Sequence, residues 1–318
     1  MFRFIQSRVI VQSLVVLALV AWAVYMLVSS TIMVQPPFRL YFWQYIAPLQ
    51  HSYVAMSLLL ALVIVLQLLL TDVYFFRGGF GDSHHLMVVI WLLLLLCCGG
   101  YVSEFSPVCM SNLVIVVIIS LNFDYDKGNL KNKDLLSGLL TGVASLFYPP
   151  ILFVAFFVIS SLIINRFSKY KDIIVYLLGI LTVYLYVFCC YFFTDNLPAL
   201  FSMLSKLRFY NTFSVTTVYS WREIVLMSAA GVSLLYAIFI LKLQYDSKQL
   251  LLRKRLMTIH LITISTLLMM VFSPFDIHQA MGFMLIPFTL YNAMLSQMKE
   301  HPVINDVMML IFAVALCL

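Results

Sequence analysis

Charge is what this chain has least of. Asp, Glu, Lys and Arg make up only 10% of its 318 residues, while 64% are hydrophobic. A soluble domain carries about 25% charged residues, so nothing here has the composition of a separate water-exposed domain. The expectation is one integral membrane domain over residues 1–318. Ten-residue strands of alternating polarity are also missing, which excludes an outer-membrane barrel and leaves an all-α, polytopic transmembrane helical bundle. Within the predicted spans, away from their ends, there is no Asp, Glu, Lys or Arg. Ion-coupled carriers and proton relays need such groups near mid-membrane, so that class is disfavoured.

Motifs are scarce too. The glycine-rich stretch 71–85, TDVYFFRGGFGDSHH, has no Gly-Lys-Ser/Thr and no flanking strand, so it is not a phosphate loop. His84, His85 and Asp82 make a poor metal set, since adjacent residues on a helix point apart; a solvated, N-capped helix start explains them better. Asp124 and Asp126 resemble the start of a calcium loop whose other ligands are absent. No serine elbow or HExxH motif occurs, and the six histidines are too scattered for a di-iron oxygenase. Six cysteines, Cys97, Cys98, Cys109, Cys189, Cys190 and Cys317, lack metal-ligand spacing and read as packing residues. A bridge from Cys109 to one of the adjacent pairs stays open in an oxidising compartment. The sequence thus implies no cofactor and no metal. Its net charge of +6 belongs to loops between spans, and nucleic acid is not an expected partner.

What is present is a long apolar stretch, Leu135–Asn165, LLSGLLTGVASLFYPPILFVAFFVISSLIIN, of 31 residues without a charge. As one helix it would be about 46 Å long against a hydrocarbon core of about 30 Å. Tyr148-Pro149-Pro150 at its middle opposes continuity, because the prolines collide with the preceding turn and push Tyr148 out of the α region. The expectation is a hairpin of two short helices, 135–147 and 150–165. Charge counting supports it. With the N-terminus inside, the hairpin puts 15 of the 19 Lys and Arg residues in the cytoplasm, all but Arg39, Lys206, Arg208 and Arg222. A single span would give 9 inside and 10 outside, against the positive-inside rule.

About 11 membrane segments follow, at 9–33, 53–70, 86–101, 107–121, 135–147, 150–165, 173–193, 222–241, 256–272, 280–297 and 303–318. The first, too long for a signal peptide and without a clear cleavage site, is read as retained. Gly138-x-x-x-Gly142 permits close helix contact. His260 lies one turn inside its span and is expected to snorkel. Leu197, Leu200, Phe201, Leu204 and Leu207 recur at helical spacing behind Pro198, marking an amphipathic helix on the outer surface. Short helices at 86–121 and 135–165 turn outward at Glu104 and at Tyr148. Irregular backbone at such depth is tolerated when it lines a wet cavity or is covered by protein. The first alternative gives an outward-facing depression floored by Glu104 and Tyr148. Around it fall Arg39, Lys206, Arg208, Arg222, Glu223, Asp276 and His278. Cations in an aromatic interface suit a lipid phosphate, whether an ordinary headgroup or a polyprenyl-linked one.

The segment GLLTGVASLFYPPILFVAFFVISSLIINR resembles the glycine–helix–break–helix–basic loop module of C-type glycosyltransferases and O-antigen polymerase-like membrane proteins. The whole chain, including FSPFDIHQAMGFMLIPFTLY, is similar to a family of Gram-negative polytopic inner-membrane proteins with a domain of unknown function. The resemblance implies a multi-pass protein of the bacterial inner membrane that acts on a lipid-linked anionic substrate at its periplasmic face. C-type transferases carry a catalytic carboxylate in the first outer loop, and residues 34–52 contain none. A catalytic role therefore falls to Glu104 or Asp276, with Arg39, Tyr148, Lys206, Arg208, Arg222, Glu223 and His278 as substrate-binding residues. The bilayer and a lipid-linked phosphate are the partners implied; protein partners are left open. Two alternatives remain from the sequence: a non-enzymatic membrane subunit that binds partner proteins, and a lipid or solute transporter without ion-coupling residues.

Overall fold

Runs of Leu, Ile, Val and Phe bounded by glycine, proline and charge fold into helices. The computed structural model describes residues 53–77, 107–123, 130–166, 170–198, 221–243, 250–272 and 281–297, with scattered residues within 16–25, 89–96, 200–201 and 307–314. Among them there is no strand. The long elements are α1 (Tyr53–Arg77), α2 (Pro107–Phe123), α3 (Leu130–Phe147), α4 (Val154–Arg166), α5 (Tyr170–Phe193), α6 (Trp221–Leu243), α7 (Leu250–Val271) and α8 (Leu285–Gln297). Short 3₁₀-helices, Pro149–Phe153 and Met281–Met284, precede α4 and α8. Among the described residues, α5 is the one helix long and apolar enough to cross a membrane by length and composition; shorter apolar helices accompany it. The segments expected at 9–33, 86–101 and 303–318 lie largely outside the described residues.

Several helices run past the hydrophobic boundary that the sequence suggested. α1 continues to Arg77 instead of stopping near 70, and α7 begins at Leu250 instead of 256. α3 likewise starts at Leu130, not 135, and α5 at Tyr170, not 173. Leu, Lys, Arg and Gln are good helix formers wherever they sit, so a charged flank ends the apolar run without ending the helix. The extension of α3 brings Asp134 into the helix and buries it to 1% exposure.

The break at the prolines is as the chain chemistry requires. Tyr148 N–H donates to the Ala144 carbonyl at 2.9 Å, closing the last turn of α3. Its own backbone is extended, with φ −145° and ψ 96°. Proline supplies no N–H and is accepted in a first turn, and Ile151 N–H then donates to the Tyr148 carbonyl at 3.1 Å. The result is a 3₁₀ turn ahead of α4, where the sequence suggested an α-helix from 150.

α3 and α5 lie side by side and run in the same direction. Thr141 meets Tyr176, whose hydroxyl donates to it at 3.1 Å, and Ser145 meets Tyr184 at 2.8 Å. Glycine brings the backbones together. A Cβ on Gly138 would lie 2.1 Å from the Tyr176 carbonyl oxygen, and one on Gly179 would lie 2.6 Å from that of Leu135. Because α3 and α5 are parallel, α4 must run back between them. Lys133 and Lys171 therefore lie at one end of the molecule and Tyr148 toward the other. α4 does not stay against α3, however; it packs mainly on α7, while α6 packs on α8 and α2 on both α1 and α3.

Candidate functional site

Three separate segments meet around Tyr148. Its ring is fully buried and stacks on Phe283, with centroids 5.1 Å apart and planes inclined by 24°. Phe153 stacks on Phe272 at 4.9 Å. Asn112 of α2, also buried, donates from Nδ2 to the Gly282 carbonyl at 2.7 Å. The junction thus includes Phe272 and Gly282, which lie in the chain on either side of residues 273–280, where Asp276 and His278 fall. It also holds the first turns of α2, which begins at Pro107 just after Glu104.

The junction is recessed relative to the longest helices. On α1, Gln67 Nε2 donates to the Cys109 carbonyl at 2.6 Å. Gln67 lies about 21 Å along α1 from Tyr53 at 1.5 Å per residue, so α2 starts beside the middle of α1. α5 likewise continues beyond the level of Tyr148. The pairing of Ser145 with Tyr184 sets Tyr148 near Val187, and from there to Phe193 is about 9 Å. α5 ends in a Schellman-type cap: Asn196 N–H donates to Tyr191 at 3.0 Å and Asp195 N–H to Phe192 at 3.2 Å, with Asp195 at φ 54°.

Of the residues singled out from sequence, Tyr148 is therefore at the junction, but covered: Phe283 lies over it, and Pro149 and Pro150 are buried with it. Arg222 and Glu223 lie in the first turn of α6, next to the exposed Trp221. Arg39, Glu104, Lys206, Arg208, Asp276 and His278 lie outside the described residues, as does most of the amphipathic segment after Pro198, where Leu197, Pro198, Leu200 and Phe201 are helical. Cys109 is a buried free thiol, and Cys189 and Cys190 are free, so Cys109 is not bridged to that pair. Among the described residues, no group of three His, Cys, Asp or Glu side chains is arranged to hold a metal.

A second polar cluster was not expected from sequence. His260 does not snorkel freely to the interface; its Nδ1 is hydrogen-bonded to the Tyr291 hydroxyl of α8. Thr263 donates to the same hydroxyl at 3.4 Å, and Thr266 reaches Met284 Sδ at 3.3 Å. Inside a helical bundle such bonds are worth about 0.6 kcal/mol each, so they orient α8 on α7 more than they hold it. The one sequence signal for them is the spacing His260, Thr263, Thr266, a polar stripe at helical period in an otherwise apolar run. No family model, curated protein or solved structure matches this chain.

Proposed function

We propose that this is a multi-pass inner-membrane protein, N-terminus in the cytoplasm, that handles a lipid-linked phosphate at a recess open to the periplasmic side. Support for the membrane setting comes from side-chain exposure. Leu177, Leu178, Leu181, Leu185, Phe188 and Phe192 all point outward from α5, as do Leu58, Leu62, Val65 and Leu69 from α1. Faces of that size in water would drive association; in hydrocarbon they carry no such cost.

The observation that carries the site is the recessed junction of the Tyr148 turn, the Met281–Met284 turn and the start of α2. Backbone that leaves the regular helix at depth belongs beside a cavity or under protein. The tails leaving this junction hold Glu104, Asp276 and His278. Arg208 and Arg222 follow α5 in the chain, and α5 ends on the same side. In the reaction this reading implies, an acceptor hydroxyl attacks the carbon bonded to the lipid phosphate. Its proton passes to a carboxylate, Glu104 or Asp276. The carbon–oxygen bond to phosphate breaks, and the electron pair leaves on the phosphate, held by Arg208 and Arg222. Tyr148, being covered, positions the turn and does not touch the substrate.

The test is native mass spectrometry of the purified chain, looking for a retained polyprenyl phosphate. Retention that Arg208→Ala abolishes, and turnover that Glu104→Gln or Asp276→Asn abolishes at unchanged membrane abundance, are the expected results. Wild-type retention in Arg208→Ala together with Arg222→Ala would sink the reading.

A further inference from the structure

The chain is described without a break from α3 through the Tyr148 turn to the end of α4, so the height of both limbs follows from residue counts. Lys133 on α3 and Arg166 at the end of α4 mark the basic foot of this hairpin, and the turn marks its top. From Lys133 to Tyr148 is about 22 Å at 1.5 Å per residue. The returning limb, Val154–Arg166, covers about 18 Å. By contrast α5 has 24 residues and α6 has 23, about 36 Å and 34 Å long.

Both limbs present apolar side chains outward. Leu136 and Val143 on α3, and Phe156 and Ile163 on α4, are exposed, each pair seven residues apart and so on one face of its helix. Val143 lies only about 7 Å below the turn, so on α3 the exposed face rises almost as high as the limb itself. In the bilayer proposed above, a face about 22 Å tall meets a hydrocarbon core of about 30 Å. A short span is accommodated by snorkelling side chains, by association with another copy, or by a thinner bilayer. Tilt only lowers its height further. Snorkelling fails at the turn, because residues 147–153, FYPPILF, include no Lys or Arg. Association through this face sets the Lys133 and Arg166 end of one copy beside the same end of another, and like charges oppose it. A thinner bilayer remains.

We infer that the bilayer is thinned by up to about 8 Å beside the α3–α4 hairpin, which selects phospholipids with short acyl chains as its neighbours. Cations at the foot of the hairpin hold that end at the inner-leaflet headgroups. The shortfall therefore falls on the outer leaflet, whose headgroups descend toward the level of Tyr148. This rests on the membrane reading above, but it does not require a lipid-linked substrate in the recess.

The test uses the full chain with its native cysteines replaced by serine or alanine and one fluorescent label at Phe156→Cys, Val143→Cys or Leu235→Cys. Leu235 is exposed on the full-length α6 and serves as the reference. Each labelled protein is reconstituted in phosphatidylcholine of 18-carbon chains, and brominated phosphatidylcholines of 14- or 22-carbon chains are added as quenchers. At Phe156 and Val143 the 14-carbon lipid quenches in preference to the 22-carbon lipid by about threefold, and at Leu235 it does not. Since the two hairpin sites are independent, one that fails to fold leaves the other to decide. The same chain-length preference at the hairpin and at Leu235 overturns the proposal while leaving the membrane reading intact. Disulfide-linked dimers formed by unlabelled Val143→Cys or Phe156→Cys in the bilayer assign the face to a second copy and overturn it too. Absence of quenching at all three sites removes the membrane reading, and this inference falls with it.

Discussion

Asp195 occupies a position that backbone sterics leave mainly to glycine. At φ 54° its Cβ crowds the following carbonyl, a cost of about 1–2 kcal/mol for an ordinary L-residue and less for Asp. The chain accepts it because the left-handed residue lets Asp195 and Asn196 close the last turn of α5 on Phe192 and Tyr191. Asp195→Gly keeps both bonds and removes the crowding, so it should stabilise the protein by about 0.5–1 kcal/mol, read as a higher melting temperature in detergent. Tyr148 is the opposite case. Its ring is buried against Phe283, with neighbours on every side. Tyr148→Ala leaves a cavity where three segments meet and should cost about 3–5 kcal/mol. A variant that melts like the parent would show that the junction does not depend on this ring.

At the scale of elements, the contact between α3 and α5 is set by glycine. The spacing Gly138-x-x-x-Gly142 could be read from the sequence, but its partner could not, because α5 offers a single Gly179 in no repeated pattern. At Gly138 an added Cβ meets a backbone carbonyl at 2.1 Å, which no rotamer change relieves. Gly138→Ala should therefore force α3 and α5 apart, costing about 1–3 kcal/mol or more. Gly231 on α6 is the control: nothing lies within 4 Å of its added Cβ. There Gly231→Ala should be neutral or stabilise by up to about 1 kcal/mol through helix propensity. Thermal unfolding of both variants in one detergent checks the contrast. Helix ends show the same limit of legibility. Hydropathy reports where hydrocarbon begins, whereas hydrogen bonding carries α7 six residues before the expected start at 256. The Tyr-Pro-Pro break was legible because proline chemistry is local. The pairing of His260 with Tyr291 was not, since it joins residues far apart in sequence on two apolar helices.

For the whole molecule the decisive quantity is direction. α3 and α5 are parallel and α4 returns between them, so Asn132 and Lys171 belong at one end while Asp195 belongs at the other. All three are exposed. Embedded in a bilayer, that arrangement puts the basic flanks of the Leu135–Asn165 stretch on one side, which the proposed topology assigns to the cytoplasm because that side favours Lys and Arg. A single long span through the prolines would instead place Asn132 and Lys171 on opposite sides, and a protein holding α3 and α5 in parallel contact could not do so. Introduced singly into a chain whose native cysteines are replaced by serine or alanine, Asn132→Cys and Lys171→Cys should react with a membrane-impermeant maleimide only after the cells are opened. Asp195→Cys should react in cells with a permeabilised outer membrane and an intact inner one. If Lys171→Cys labels from the periplasm while Asn132→Cys does not, the stretch crosses once, and the recessed junction loses its footing along with the topology that gives it a periplasmic face.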